Sequence, residues 1–277
     1  MNLAHVTNAQ KAQILVNALP YIQKYNNKTI VVKYGGNAMT DEMLRESVMG
    51  DLVLLRLIGV NVVLVHGGGP HIQEILNKVG KESKFLNGLR VTDEETMKIV
   101  QMVLAGQVNK DLVNLIGMTG GKAVGLCGLD GQMIKVKKQS EELGLVGEIV
   151  SVDVSLIRDN LEKGYIPVIS TIGTDTHGRA YNINADTASA KIAGALHAEC
   201  MLSLTNIDGV LADAADPGSL IKTLTLAEAA QLQADGVIAG GMVPKVTCCT
   251  DAVAAGVKRV FIINGTVPHA ILIALLT

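Results

Sequence analysis

Several residue types and motifs are scarce or missing in this sequence of 277 residues, and these absences exclude several classes of protein. Trp is absent and aromatic residues are few, yet 48% of the residues are hydrophobic, which fits a folded globular protein. No apolar run approaches the roughly 18 residues of a membrane-spanning helix, and the N-terminus shows no secretory pattern. We therefore expect a cytoplasmic protein.

The cysteines give no sign of a metal centre. None of them has C-x-x-C spacing, so neither a zinc site nor a disulfide framework is indicated. The four residues are Cys127, Cys200, Cys248 and Cys249. We expect them to be reduced and mostly structural.

Two familiar nucleotide-binding motifs are also missing. There is no G-x-x-x-x-G-K-[ST] loop, and no predicted strand leads into G-x-G-x-x-G. The net charge of −2 offers no bulk attraction to nucleic acid or to an anionic membrane, so we predict neither partner. Any phosphate group would have to be bound by other glycine-rich turns, and glycine is plentiful at 29 residues.

One glycine-rich turn follows a short apolar run. Residues 62–65 are apolar and mostly β-branched, which predicts a strand buried on both faces. Three glycines at 67–69 and then Pro70 lead into a segment with apolar residues at helical spacing. Strand, turn and helix in this order present backbone N–H groups and a helix dipole to an anion. Taken alone, the turn fits equally well a tight connection that binds nothing.

Two lysines lie beside further glycine pairs. Lys33 ends a predicted strand and precedes Gly35-Gly36, and Lys245 follows Gly240-Gly241. A lysine at a strand end more often reaches into solvent, but open α/β sheets bind ligands at this edge. Fixed cations and backbone donors are what phosphoryl transfer between two anions needs, with Mg²⁺ on the nucleotide.

The order of predicted elements indicates the fold class. Strands and helices alternate, which favours an α/β fold, an open three-layer αβα sandwich around a mostly parallel sheet. We predict strands at 29–33, 62–65, 123–126, 133–137, 166–169, 200–204 and 259–263. We predict helices at 41–58, 71–79, 92–117, 154–163, 187–196, 226–234 and 245–256, with a short terminal helix.

Three local patterns add detail to this fold. Thr7 and Gln10 predict a capping box on an N-terminal helix, which Pro20 should kink or end. Asn87-Gly88 predicts the turn of a hairpin, and Arg90 on that hairpin is suited to a two-bond grip on a carboxylate. Most arginines on hairpins are simply solvated. Thr92 with Glu95 predicts a second capping box.

Six motifs resemble the amino-acid kinase family, in family order and over nearly the whole chain. They are Lys33-Tyr-Gly-Gly-Asn, Val65-His-Gly-Gly-Gly-Pro, Asn87-Gly-Leu-Arg-Val-Thr-Asp, Asn182-Ile-Asn-Ala-Asp186, Asn206-Ile-Asp-Gly-Val and Gly241-Met-Val-Pro-Lys245. The third motif resembles the branch that uses ATP to phosphorylate the side-chain carboxylate of N-acetyl-L-glutamate in arginine biosynthesis. Kinases of carbamate, aspartate, glutamate and uridylate share the sheet and the lysines. A sensor that binds such ligands without turnover is a further alternative.

The resemblance implies catalytic roles for three residues. Lys33 and Lys245 would stabilise the transferring phosphoryl group, and Asp186 would hold both lysines in place. Without the resemblance, an Asp in the first turn of a helix is usually a favourable charge on the dipole. No general base is required, because the acceptor carboxylate is ionised at neutral pH. His66 is interpreted as packing or turn support. A pure sensor would not need the complete set of Lys33, Asp186 and Lys245.

The resemblance also implies binding roles. Gly68 and Gly69 would contact the amino-acid substrate through backbone amides, and Arg90 would bind a substrate carboxylate. Asn182 would assist. ATP, with Mg²⁺ carried on the nucleotide and no separate metal site, would be held by residues of several turns. These are Gly35, Gly36, Asn206, Asp208, Gly209, Gly240 and Gly241.

Three parts of the chain are expected, the first because it resembles the family's N-terminal extension and the other two because the two halves carry different glycine motifs. Residues 1–26 would be an N-terminal oligomerisation helix, 27–175 an amino-acid substrate lobe and 176–277 a nucleotide-binding lobe. Related kinases with such a helix interlace it to join dimers. We therefore expect a homo-oligomer, a hexamer built from three dimers.

Arginine inhibition is expected to be weak or lost. Family members with this helix are typically inhibited by arginine, bound between that helix and the C-terminal segment. Ala274 stands where the family pattern has a glutamate, and the sequence ends at Thr277, before a glycine-rich tail. A guanidinium without that carboxylate loses a bond of roughly 1.5–3 kcal/mol.

Overall fold

The computed structural model describes residues 6–213 and 215–276. Its strands are β1 (Thr29–Tyr34), β2 (Asn61–His66), β3 (Phe85–Leu86), β4 (Leu89–Arg90), β5 (Ala123–Cys127), β6 (Ile134–Lys138), β7 (Gly147–Val152), β8 (Ile166–Ser170), β9 (Ile172–Thr174), β10 (Ala180–Asn182), β11 (Cys200–Thr205) and β12 (Arg259–Asn264). Its α-helices are α1 (Asn8–Asn17), α2 (Leu19–Tyr25), α3 (Glu42–Leu57), α4 (Gly69–Lys78), α5 (Glu94–Gln101), α6 (Asn109–Met118), α7 (Ser155–Glu162), α8 (Ala185–Leu196), α9 (Leu226–Ala234), α10 (Met242–Ala254) and α11 (Ala270–Leu276). Residues 1–5 of the expected N-terminal part and Thr277 lie outside the described residues.

Six of the described strands form one parallel sheet, in the order β12-β11-β1-β2-β8-β5. Consecutive residues of β1, β2, β8 and β11 are nearly all buried. Because successive side chains of a strand point to opposite faces, both faces of the sheet are covered. The predicted αβα sandwich around a parallel sheet is confirmed. Within the described ranges, no helix is long and apolar enough to cross a membrane.

A second sheet of four strands, in the order β10-β9-β6-β7, was not predicted. Its β6–β7 and β9–β10 pairs are antiparallel, and β6 meets β9 in parallel. Strands β9 and β10 have three residues each, too few to show a periodic pattern. This sheet leads directly into α8, because β10 ends at Asn182 and α8 begins at Ala185.

The N-terminal helix forms where it was predicted. Thr7 and Gln10 make the capping box of α1. The helix ends at Asn17, and Pro20 lies in the first turn of α2, which confirms the expected break. Every residue of α1 is exposed, including Ile14 at 61%. This apolar stripe is therefore not covered by any described part of the chain.

The helix after the hairpin differs from its prediction. Asp93 is its N-cap and accepts a bond from the Thr96 N–H at 2.7 Å, so the predicted capping box at Thr92 is wrong. The Thr92 hydroxyl instead donates to the Arg90 carbonyl at 2.8 Å. A π-helical segment, Met102–Val108, lies between α5 and α6. Such a segment breaks the 3.6-residue period of the flanking helices, so a regular apolar pattern does not predict it.

Candidate active site

The glycine-rich turns meet at one edge of the parallel sheet. Strands β1, β2, β11 and β12 run in the same direction, and each is followed by a turn that contains glycine. The register places Tyr34 beside His66 and Thr205 beside Asn264, so these strands end together. Turns far apart in sequence are therefore gathered where open α/β sheets bind ligands.

Lys33, Asp186 and Lys245 lie together at this edge, and we call them the lysine clamp. The Nζ of Lys33 is 3.0 Å from Asp186 Oδ1, and the Nζ of Lys245 is 4.0 Å from Asp186 Oδ2. The exposed fractions of the side chains are 9% for Lys33, 20% for Asp186 and 27% for Lys245. One carboxylate thus bridges two ammonium groups that belong to β1 and α10.

Local structure explains how the clamp is assembled. The Asn184 side chain caps α8 and accepts from the N–H groups of Asp186 and Thr187 at 2.9 and 3.1 Å. This cap places Asp186 in the first turn of α8, as predicted. At α10, Gly240 has a φ of 54°, which favours glycine, and its turn directs the helix that carries Lys245.

The turn at 67–69 packs so closely that it presents bare backbone. A Cβ added at Gly68 would lie 2.6 Å from the Leu104 side chain of the π-helical segment. A Cβ added at Gly67 would lie 3.3 Å from the Cβ of Ala185, the residue before Asp186. The turn therefore lies against the start of α8, close to the clamp. Gly69 follows as the first residue of α4.

Arg90 lies against the same turn. Its guanidinium donates to the Gly69 carbonyl at 3.2 Å, to Gln73 Oε1 at 2.9 Å, and to the Ser83 hydroxyl. The guanidinium carbon is 4.7 Å from the centre of the Phe85 ring. Arg90 as a whole residue is 8% exposed, and burial lowers the pKa of its guanidinium. The hairpin thus folds over the turn, and Arg90 is held in one orientation.

Asn182 connects the second sheet to this hairpin. Its Nδ2 donates to the Thr92 hydroxyl at 3.3 Å, and Thr92 donates to the Arg90 carbonyl. Its backbone N–H donates to the Leu145 carbonyl at 2.9 Å. The structure therefore joins Asn182 and Arg90 through one intervening hydroxyl.

Four of the residues expected to bind the nucleotide line two cavities. Gly240 and Gly241 line a cavity of about 710 Å³ between the hairpin tip, α8 and the start of α10. Asp208 and Gly209 line a second cavity of about 530 Å³, whose walls are mostly apolar. Asn206 is exposed at the end of β11.

The two glycines after β1 lie beside the clamp. A Cβ added at Gly35 would be 3.8 Å from the Lys33 Nζ, and Gly36 has a φ of 69°. This φ belongs to the left-handed region, which favours glycine. The turn therefore bends away directly after Lys33.

Sequence reasoning missed one buried polar residue close to the site. Asn109 is 1% exposed, and its Nδ2 lies 3.1 Å from the Nε2 of His66. It follows the π-helical segment directly, so the helical register that would mark its face is shifted. The only sequence signal is an amide within an otherwise apolar helix face.

The thiols are all free among the described residues. Burial raises the pKa of Cys200 and of Cys249 to about 12. Both thiols are therefore protonated at neutral pH, which fits the structural role expected for them.

Known proteins resemble this chain over nearly its whole length. The model of the amino acid kinase family matches residues 28–264. An acetylglutamate kinase from Clostridium kluyveri is 54% identical over 266 residues, which are 95% of this chain and 94% of that protein.

Two solved structures share the fold. An N-acetylglutamate synthase from Neisseria gonorrhoeae, complexed with coenzyme A and N-acetyl-glutamate, has a TM-score of 0.84 at 26% identity, covering 96% of this chain and 61% of that one. A carbamate kinase from Giardia lamblia bound to AMP-PNP has a TM-score of 0.61 at 17% identity, covering 90% and 96%, and shows the fold alone. On the family match and the close relative, this chain belongs to the amino acid kinase family and, within it, to the acetylglutamate kinases.

Proposed function

We propose that this chain transfers the γ-phosphoryl group of ATP to the side-chain carboxylate of N-acetyl-L-glutamate. The family membership supports this activity, and one geometric observation carries the mechanism. Asp186 bridges Lys33 and Lys245 at the edge of the sheet where the glycine-rich turns meet. The product is N-acetyl-L-glutamyl 5-phosphate, and ADP leaves.

The lysine clamp suits the charge that develops during transfer. A carboxylate oxygen of the acceptor forms a bond to the γ-phosphorus while the bond to the β–γ bridging oxygen breaks. Negative charge on the transferring group is neutralised by two fixed ammonium groups, which need no reorganisation at that moment. The acceptor is already ionised, so no proton has to be removed first.

The acceptor would bind at the turn beneath the hairpin. The N–H groups of Gly68 and Gly69 lie at the start of α4, where the helix dipole favours a carboxylate. Arg90 would bind another substrate carboxylate, and its three protein contacts hold it ready to do so. Asn182 would assist through its contact with the same hairpin.

The residues present fit ATP. The cavity beside Asp208 and Gly209 lies within the range of small-molecule sites, roughly 300–1,000 Å³, and its apolar walls suit a base. Gly35, Gly36, Gly240 and Gly241 would let the phosphates approach bare backbone beside both lysines. Mg²⁺ would arrive bound to the nucleotide, where it neutralises the charge of the phosphates.

A homo-oligomer is part of the proposal. Ile14, Leu15 and Leu19 expose 61%, 72% and 49% of their surfaces. Residues 1–26 of one dimer would interlace with the same residues of a neighbouring dimer, and this contact would cover the apolar stripe. We expect a hexamer, and deletion of residues 1–26 should leave an active dimer. Light scattering measures both masses, and a full-length dimer would contradict the interlacing.

Three finer expectations belong to the same proposal. Arginine should inhibit weakly, because Ala274 packs on the core where a glutamate would offer a carboxylate. Low-micromolar half-inhibition in an arginine titration would contradict this.

The substrate lobe would be 27–175 and the nucleotide lobe 176–277. The reduced thiols favour a cytoplasmic location.

A coupled assay of ADP release tests the proposed function. N-acetyl-L-glutamate, glutamate, aspartate and carbamate are supplied in turn with ATP and Mg²⁺. We expect turnover with N-acetyl-L-glutamate to exceed that with the others. A preference for another acceptor would reassign the substrate, and binding without turnover would indicate a sensor.

A further inference from the structure

A buried histidine lies directly beneath the glycine-rich turn. His66 is 0% exposed, and its Nδ1 is 2.8 Å from the carbonyl oxygen of Gly67. A carbonyl oxygen can only accept, so Nδ1 carries the proton and Nε2 accepts from the Asn109 amide at 3.1 Å. Burial lowers the pKa of His66 to about 4, which keeps the ring neutral. One tautomer thus satisfies both bonds.

Asn109 is itself fixed by the sheet. Its Nδ2 also contacts the carbonyl oxygens of Val168 in β8 and Leu126 in β5, at 2.8 and 3.3 Å. Its Oδ1 accepts from Lys110 Nζ at 3.1 Å. A buried amide with all its polar atoms bonded has one orientation, so the His66 ring rests on a rigid support.

The π-helical segment closes the turn from the other side. Leu104 and Val108 of this segment are 1% and 3% exposed, and they pack against Gly68. A π-helical turn contains one extra residue and shifts the faces of the helix that follows. Here Asn109 comes directly after the segment and reaches His66. The segment thus packs against Gly68, while the His66–Asn109 pair bonds to the carbonyl of the preceding residue, Gly67.

The bond from His66 sets the direction of a neighbouring amide. The Gly67 carbonyl and the Gly68 N–H belong to one planar trans peptide, so they point in opposite directions. With the carbonyl held toward the buried ring, the Gly68 N–H points away from it. None of residues 6–213 and 215–276 accepts a hydrogen bond from that N–H, which precedes the first turn of α4.

We propose that His66 and Asn109 are positioning residues that aim the Gly68 N–H at the acceptor substrate. This inference rests on the proposed function, in which that amide binds N-acetyl-L-glutamate. Neither side chain touches the reacting atoms, and their effect passes through a single peptide plane. If His66 merely fills space, the activity of its variants should follow the size of the new side chain. If His66 is a positioning residue, the activity should follow the hydrogen bond that the new side chain keeps.

Two substitutions of His66 separate the two roles. The amide of His66→Asn comes near the position of Nδ1 and can still donate to the Gly67 carbonyl. The amide of His66→Gln comes near the position of Nε2, so it keeps the contact with Asn109 and loses the one to Gly67. Glutamine is the closer match to histidine in size. A positioning role therefore predicts higher activity for His66→Asn, whereas a space-filling role predicts higher activity for His66→Gln.

The readout is kcat/KM for N-acetyl-L-glutamate beside KM for ATP. His66→Gln should lower kcat/KM roughly 10- to 100-fold, the range for a lost bond to a charged group. His66→Asn should retain most of the activity, and KM for ATP should stay unchanged in both. If Gln is the milder substitution, or if both variants match the wild type, the inference is overturned.

Asn109→Leu provides an independent arm. It keeps the approximate size and removes the donor to His66, so kcat/KM for the acceptor should fall while KM for ATP is unchanged. Asn114→Leu, on the exposed face of the same helix, is the matched control and should change neither constant. Equal constants in the two Leu variants would overturn the inference. Thermal unfolding of each variant shows whether it is folded.

These outcomes are distinct from failure of the proposed function. A wild-type chain without turnover on N-acetyl-L-glutamate would refute the function itself. An active wild type whose His66 and Asn109 variants keep its kcat/KM would refute only the positioning role.

Discussion

The acceptor side and the nucleotide side of the proposed site are packed differently. On the acceptor side, β2 is buried from Val62 to His66, and its turn rests on the His66–Asn109 pair. On the nucleotide side, β11 is buried, but the neighbouring edge strand β12 is exposed or half-exposed along its length. A separate small core supports that side. Its buried residues are Val210, Ala229, Ile238 and Val246.

This difference teaches that the two halves of one site can be preorganised to different degrees. A turn fixed by buried, bonded side chains has little freedom left to lose when a substrate binds. A segment with few buried apolar contacts opens locally at a low free energy. We therefore expect a rigid acceptor side and a more mobile nucleotide side.

The lysine clamp spans both sides, so breaking it has the largest expected effect. Lys33→Ala and Lys245→Ala should each lower kcat by ~10²–10³-fold, because each removes a fixed charge from the transition state. Asp186→Asn should lower kcat by a similar factor, since the neutral amide no longer holds the two ammonium groups in place. Steady-state kinetics at saturating substrates measure this, with the exposed Lys98→Ala as control. Near-normal turnover in either lysine variant would remove the clamp from the mechanism.

The buried ring on the acceptor side should make stability depend on pH. The pKa of His66 is lowered to about 4 by burial, against an ordinary value of 6.5. Between these values the unfolded chain binds a proton on this ring and the folded chain does not, so stability falls as the pH drops. The loss due to His66 reaches about 3 kcal/mol at pH 4.

The pH effect is checked by denaturant unfolding of the wild type and His66→Asn at pH 6.5 and 4.5. The variant cannot titrate at this position, so its free energy of unfolding should fall less over that range. The same fall in both proteins would show that His66 does not cause it.

Arg90→Lys tests the grip on the acceptor, with a smaller expected effect. A lysine keeps the charge, but it lacks the planar guanidinium that can bind a carboxylate through two hydrogen bonds. It also loses the contact with the Phe85 ring. KM for N-acetyl-L-glutamate should rise roughly tenfold with little change in kcat. The exposed Arg158→Lys is the matched control. An unchanged KM in Arg90→Lys would place this arginine outside the substrate site.

Hydrogen exchange tests the comparison directly and has the smallest expected effect. Amides of β12 and α9 should exchange faster than those of β1 and β2, since fewer buried contacts oppose local opening. A non-hydrolysable ATP analogue should slow exchange mainly on the nucleotide side. Equal protection on both sides without ligand would show that the packing difference has no dynamic consequence.

Much of the fold could be predicted from the sequence, because local signals agreed with the tertiary context. The apolar run before Gly67 became β2, and Asn87-Gly88 formed the hairpin turn with φ of 50° and 79°. Thr7 formed its capping box, whereas Asp93 replaced the predicted cap at Thr92, since either side chain can cap a helix. Short strands such as β9 were missed because three residues carry no period.

The sequence by itself determined the αβα class, the clustering of glycines at strand ends and the chemical types of the clamp residues. These follow from local periodicity and residue chemistry, which act over a few positions. Only the tertiary structure decided that Asp186 reaches both lysines, that Arg90 contacts Gly69, and that Asn109 supports His66. Such contacts join residues far apart in sequence. They depend on strand register, on a π-helical shift and on burial, which no short window of sequence contains.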